Sequence, residues 1–168
     1  MTTNEGDAAA AARQWVQVHL RDYLESGGAR GHVLDFSSMG GHVLTTNLLL
    51  RTTGRRSGQA RILPLIYGLV GGEVVIVASK GGSDTHPAWY LNLADNPVAE
   101  FQIATQAFRA SWREPRGEER RAAWEHMAGL YPPYRDYQAG TKREIPLVML
   151  KPIAGVETFK APPGGTGG

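Results

Sequence analysis

The chain has no cysteine, which excludes disulfides, thiolate metal sites and cysteine nucleophiles. Its five histidines, His19, His32, His42, His86 and His126, form no H-E-x-x-H or other close ligand pairing, so no catalytic metal is expected. A large excess of one charge is also missing: the formal net charge of +2 gives little reason to expect a nucleic-acid partner. No apolar run is long enough to span a bilayer. The N-terminus has an alanine run preceded by acidic residues, without a basic leader or long apolar core, so neither a signal peptide nor a membrane span is read here. With 168 residues, one domain can bury about 70% of its unfolded surface without staples.

What is present concentrates between residues 48 and 93. Arg55, Arg56 and Arg61 flank a glycine-bounded turn at 54–58, and Lys80 sits in a second glycine turn, followed by a helix opening near Pro87. Guanidinium forks bind phosphate or carboxylate bidentately, and glycine turns expose backbone N–H groups. The positive end of the helix adds to the same region. This arrangement suits a long, polyanionic, partly planar ligand. A second basic cluster, at 113–121, alternates with Glu114, Glu118 and Glu119 and reads as a solvated helix face laced with ion pairs.

Asp7 is placed to cap a helix over 8–25, stopped by Ser26, Gly27 and Gly28. Its modest apolar stripe, Trp15, Val18 or His19, Tyr23 and Leu24, is expected to dock on the domain. Residues 31–42 read as a loop or irregular strand. Period-two patterns and short apolar runs then predict strands at 46–52, 61–69, 73–78, 98–103, 107–113 and 145–151. Gly71 and Gly72 make a tight hairpin, and Thr105 and Gln106 are expected to turn the fourth strand into the fifth. Strands joined this closely must be antiparallel. Helices are predicted at 87–94 and 117–130, the second ended by Tyr131, Pro132 and Pro133. About six antiparallel strands with inserted helices favour an α+β fold built on a closed or partly closed barrel. The expected organisation is a helix at 1–28, a barrel domain at 29–153 and a disordered tail at 154–168, of which 162–168 is Pro, Gly and Thr.

The chain resembles the deazaflavin-dependent nitroreductase family, split β-barrel reductases that use reduced coenzyme F420. The matching pieces are Thr53-Gly54-Arg55-Arg56-Ser57-Gly58-Gln59, Arg61, Pro64-Leu65, Gly71-Gly72, Ala78-Ser79-Lys80-Gly81-Gly82, Pro87, Trp89-Tyr90-Leu91-Asn92-Leu93, Asn96-Pro97, Tyr131-Pro132, Tyr134, Tyr137 and Ile145-Pro146. They occur in the family's order across residues 45–152.

The resemblance implies a split barrel like those that bind FMN or oxidise pyridoxamine phosphate, with the deazaflavin ring in its groove and the tail over the cationic turns. Arg55, Arg56, Gln59 and Arg61 would hold the tail. Lys80, Gly81 and Gly82 would engage phosphate or ribityl oxygens, while Pro64, Val77, Ala78 and Trp89 would wall the ring. Pro87 and Asn92 of the following helix complete the set. A bland reading stands beside each of two features: Arg55 and Arg56 as an exposed hairpin tip, and Trp89 as core beside Leu93.

The resemblance also puts Ser79, Tyr131, Tyr134 and Tyr137 around the acceptor, as donors to the oxygen on which charge builds during reduction. A spacing of three residues aligns the tyrosines on one side of a helical or turn segment. One departure stands out: Ile66 follows Pro64-Leu65, so Tyr67 falls on the opposite strand face from an aromatic at 66.

The expected activity is hydride transfer from the reduced deazaflavin to an activated C=C bond, a quinone or a nitro compound. The alternatives are an FMN-binding split-barrel oxidoreductase, whose single phosphate would under-use three arginines, and a non-catalytic deazaflavin carrier or sensor. A soluble cytoplasmic protein with a small-molecule acceptor, monomeric or homodimeric, is expected, with peripheral membrane contact through the first helix left open.

Overall fold

A computed structural model describes residues 5–161. The chain opens with α1 (Glu5–Glu25), a two-residue strand β1 (Val33–Leu34) and a short 3-10 turn (Ser37–Met39). It continues through β2 (Thr45–Thr53), β3 (Ala60–Val70) and β4 (Glu73–Val77) to a second 3-10 turn (Lys80–Gly82) and α2 (Ala88–Asp95). Strands β5 (Ala99–Ile103) and β6 (Gln106–Arg113), helices α3 (Gly117–Leu130) and α4 (Pro133–Ala139), and β7 (Leu147–Val156) complete it.

All strand pairings are antiparallel, in the order β1-β2-β3-β4-β7-β6-β5, and β2 also pairs with β5. The last pairing closes β2–β7 into a six-stranded barrel and leaves no long free edge among them. Gly71 (φ 59°) and Gly72 (φ 82°) both adopt positive φ, the requirement of a two-residue turn whose twist matches its flanking strands. β4 is buried on both faces: Val74 and Ile76 point into the barrel, Val75 and Val77 toward the helices. That double burial explains its uninterrupted apolar run.

Three apolar clusters follow. Leu48, Leu50, Tyr67, Ile76, Phe101 and Leu150 fill the barrel, with Trp89 and Leu93 of α2 closing it. Ala123 and Met127 of α3 and Tyr134 of α4 pack with Val75, Val77, Leu147 and Met149 outside it. On a further face, Tyr23 of α1 packs with Leu49, Ala107 and Phe159. Tyr23 anchors α1 by its hydroxyl as well, donating to Asn47 O (3.0 Å) and Gln102 O (3.3 Å) and accepting from the Ala104 amide (2.9 Å).

Several expectations need correction. The first helix begins at Glu5, so Asp7 lies within it and caps nothing. The β5–β6 turn is Ala104-Thr105, one residue before the expected Thr105-Gln106: Gln106 already pairs with Ile103, and Ala104, at φ 51°, has its amide held by the Tyr23 hydroxyl (2.9 Å). Pro132 and Pro133 do end α3, yet they also start α4, where proline's fixed φ suits the first turn. Residues 154–161 are not a disordered tail. β7 runs to Val156, and Phe159 is 1% exposed, its amide bonded to Gln102 Oε1 (2.7 Å) and its ring beneath the Arg51 guanidinium (4.1 Å). The expectation of disorder at 162–168 lies outside the described residues.

Candidate active site

Two cavities lie side by side along β3. The first, about 480 Å³, is lined by Arg55 and Arg56 of the β2–β3 turn, Arg61, Ile62 and Leu63 of β3, Lys80, and Pro87, Trp89 and Asn92 at α2. The second, about 300 Å³, is lined by Pro64, Leu65 and Ile66 of β3, Val77, Ser79 and Gly81, the three tyrosines Tyr131, Tyr134 and Tyr137, and Trp15, His19, Phe36 and Asn47. Their boundary falls between Leu63 and Pro64 on β3 and between Lys80 and its neighbours on the glycine turn.

The first cavity is cationic without compensation. Five other arginines, Arg51, Arg113, Arg120, Arg121 and Arg135, make ion pairs with glutamates, whereas Arg55, Arg56, Arg61 and Lys80 make none among the described residues. Their contacts are neutral: Arg55 to Asn92 Oδ1, Arg61 to Ser57 Oγ (3.4 Å) and Lys80 to Thr85 Oγ1 (3.1 Å). Four cations around one concavity, with no carboxylate bound among the described residues, suit an anion with several charges.

The second cavity is apolar-walled and rimmed by hydroxyls. Tyr131, which closes α3, and Tyr134 and Tyr137 of α4 form a mutual ring cluster, with centroids 5.0–6.4 Å apart. Phe36 meets Tyr131 edge-on (5.8 Å) and Trp15 edge-on (5.5 Å), so aromatic rings link α1 to α4. Burial, then the neighbouring Tyr137 hydroxyl, pushes the Tyr131 phenol well above its usual range, and burial does the same to Tyr134. At neutral pH both are therefore protonated donors rather than acids. Ser79 and Tyr134 are buried, and neither hydroxyl meets a protein partner among the described residues.

Most residues expected at the site line one of these cavities, and three do not. Gln59 lies in the β2–β3 turn, its carbonyl accepting from the Gly54 amide (2.8 Å). Ala78 is fully buried in the barrel core. Gly82 packs against α4, where a Cβ would stand 3.0 Å from Tyr137 Cα. The ring-wall set is also divided: Pro64 and Val77 line the tyrosine cavity, whereas Trp89 lines the cationic one and is at the same time core. Asn92 lines the cationic cavity with its side-chain polar atoms committed to Arg55 and Thr52. Tyr67 is inside the barrel, on the face opposite Pro64 and Ile66, with its hydroxyl on His32 Nε2 (2.7 Å). That is where the strand's period of two sends it.

Trp15 and His19 of α1, together with Phe36 and Asn47, were not read as site residues. The first two are four apart on one helix face, the same signal that predicted docking. His19 is held by Gly31 O (2.8 Å), and burial lowers its basicity.

Comparison with known proteins identifies the family. Residues 15–152 match the family described as F420H(2)-dependent quinone reductase. An F420H(2)-dependent quinone reductase of Mycobacterium tuberculosis (strain H37Rv) is 32% identical over 143 residues, covering 82% of this chain and 89% of the relative. A solved F420-H2 dependent reductase (FDR-A) is 39% identical, with a TM-score of 0.58 over 62% of this chain and 93% of its own. A second solved structure, described as a domain-swapped dimer, is 35% identical, with a TM-score of 0.60 over 83% and 99% of the two chains. With the barrel, the cationic cavity and the tyrosine cavity in place, the chain belongs to the F420H(2)-dependent quinone reductase family.

Proposed function

We propose that this protein is an oxidoreductase that binds coenzyme F420 and uses its reduced form to reduce quinone-like acceptors. The observation that carries the reading is the adjacency of two unlike cavities: four cations that make no ion pair among the described residues, then an apolar slot lined by the Ser79 and Tyr134 hydroxyls, neither with a protein partner among those residues. The residues fit the group. Arg55, Arg56, Arg61 and Lys80 would hold the anionic tail, and Pro64, Ile66 and Val77 would wall the planar ring.

Bound and reduced, the deazaflavin supplies a hydride equivalent. The chain's own contribution is placement and polarisation. Reduction of a quinone, an enone or a nitro compound loads negative charge onto an acceptor oxygen, and fixed donors in a dry cavity lower that barrier. Ser79, Tyr134 and Tyr137 line the cavity where such an oxygen would lie. Because burial keeps the Tyr134 phenol protonated, it serves as a hydrogen-bond donor, and the net proton comes from water. Trp15 and His19 of α1 add to the wall of the same cavity.

The acceptor is a small molecule. Among the described residues no helix is long and apolar enough to cross a membrane. Self-association as a homodimer fits the domain-swapped relative, and a cytoplasmic location fits a soluble coenzyme.

The test is a fluorescence titration with oxidised coenzyme F420 and, in parallel, FMN, followed by oxidation of the reduced coenzyme with menadione, cyclohexenone and a nitroarene. Deazaflavin binding with acceptor-dependent oxidation is expected. Binding without turnover would make the protein a carrier or sensor, and binding of FMN alone would overturn the assignment.

A further inference from the structure

We propose that Arg143 is the positioning residue of the glycine turn: by holding the turn's carbonyls on one side, it presents three backbone amides on the other as a seat for an oxygen anion of the coenzyme. The proposal rests on the coenzyme reading above. Arg143 lies between α4 and β7, 57 to 65 residues from the groups it binds. Its guanidinium donates to Ser79 O (2.7 Å) and Ala78 O (3.2 Å), to Ser83 O through Nε (2.7 Å), and to His86 Nδ1 (3.1 Å). It makes no ion pair among the described residues, so its hydrogen-bonding capacity is directed at this one turn. Its own backbone is fixed by Gln138, whose amide nitrogen donates to Arg143 O (2.8 Å) and whose amide oxygen accepts from the Ile145 amide (2.9 Å). Gln138 belongs to α4, so one connection ties the tyrosine helix to the turn that carries Ser79 and Lys80.

The turn's dihedral angles give the arrangement a purpose. Ser79 is right-handed (φ −80°, ψ −39°), Lys80 left-handed (φ 46°) and Gly81 left-handed (φ 63°, ψ 20°). A right-handed residue followed by a left-handed one makes successive N–H groups converge into an anion-binding nest. In a trans peptide the carbonyl and the following N–H point in opposite directions. Carbonyls of Ala78 and Ser79 turned to Arg143 therefore send the amides of Ser79 and Lys80 away from it. Among the described residues the amides of Ser79, Lys80 and Gly81 have no protein acceptor, whereas the amides of Gly82 and Ser83, next in the chain, bond to Ser79 O (2.9 Å) and Lys80 O (3.1 Å). Lys80 lines the cationic cavity and Ser79 and Gly81 the tyrosine cavity, so the nest opens at their junction. A left-handed lysine is unfavourable on its own and persists only where its surroundings hold it.

The test compares wild type with Arg143→Lys, which keeps the charge but lacks a planar fork of several donors. Thermal unfolding, the dissociation constant for oxidised coenzyme F420 and the amide NMR signals of Ser79, Lys80 and Gly81 are read in each. In wild type the three amides should move on titration with coenzyme. A response to inorganic phosphate alone would assign the anion to phosphate, and a response only to the whole coenzyme would assign it to a ring or ribityl oxygen. In Arg143→Lys, binding should weaken at least tenfold and the amide response should vanish, with an unfolding midpoint close to wild type. Arg143→Ala guards against a folding defect: added guanidinium should restore its coenzyme binding and should not restore that of Lys80→Ala. A folded Arg143→Lys protein with unchanged affinity and the same amide shifts would overturn the proposal. Failure of wild type to bind coenzyme would instead overturn the coenzyme reading on which it rests.

Discussion

The backbone amide and the guanidinium of Arg55 both reach one atom, Asn92 Oδ1, at 3.1 and 3.2 Å. Asn92 is 4% exposed on α2, and its Nδ2 donates to Thr52 Oγ1 at the end of β2 (3.3 Å). One buried amide thus joins the first cationic turn to the helix that closes the barrel.

Replacing Asn92 with alanine should therefore act on stability and binding together. A buried amide removed from a satisfied network costs about 1–3 kcal/mol. Arg55→Ala should weaken coenzyme binding with little change in the unfolding midpoint, because the residue is exposed and makes no ion pair among the described residues. Calorimetry beside a coenzyme titration separates the two. An Asn92→Ala protein of wild-type stability would show the junction to be unimportant.

Lys80→Ala should weaken coenzyme binding by roughly tenfold or more, the value of a charge-assisted hydrogen bond. Wild-type affinity should fall as salt rises and the variant's should fall less steeply, since an exposed ionic contact is screened. Titrations at two ionic strengths read this directly. Salt-independent wild-type binding would rule against a cationic tail site.

Tyr134→Phe should slow turnover roughly tenfold or more while leaving coenzyme affinity nearly unchanged, because it removes a donor to the acceptor oxygen and no packing volume. Burial holds the phenol protonated well past its usual range, so turnover should show no limb from Tyr134 ionisation between pH 6 and about 9. Steady-state rates across that range check both statements. Equal turnover in the variant would remove Tyr134 from the mechanism.

Acid should loosen α1. His19 is buried against Gly31, and burial lowers its folded-state pKa below the ordinary 6.5, with the Gly31 carbonyl and Asp22 opposing the shift. The unfolded chain then takes up the proton first. The contribution of His19 to stability is full above about pH 6.5 and is lost as pH falls through the lower folded value. Unfolding midpoints of wild type and His19→Gln should converge as pH drops from 7.5 toward 5. A constant difference between them would place the acid sensitivity elsewhere.

The local features of this protein were legible in its residues because they have local causes. Period-two patterns and short apolar runs set the six barrel strands, Gly71 and Gly72 their tight hairpin, and proline the end of α3. Arg55, Arg56, Arg61, Lys80 and the tyrosines could be named for the same reason: guanidinium, ammonium and phenol carry their chemistry wherever they are placed. The reading went astray where a distant group decides. The β5–β6 turn falls on Ala104-Thr105 rather than Thr105-Gln106, with the Ala104 amide held by the Tyr23 hydroxyl, and residues 154–161 are ordered because Arg51 and Gln102 hold Phe159.

Composition and pattern thus determined a cysteine-free, antiparallel barrel with a cationic turn facing a glycine turn. Only the tertiary structure decided that Trp15 and His19 of α1 line the tyrosine cavity, that Ala78 belongs to the core, and that Arg143 grips the carbonyls behind Ser79. Those are contacts between groups far apart in the chain. Barrel closure brings them together, and no local spacing encodes them.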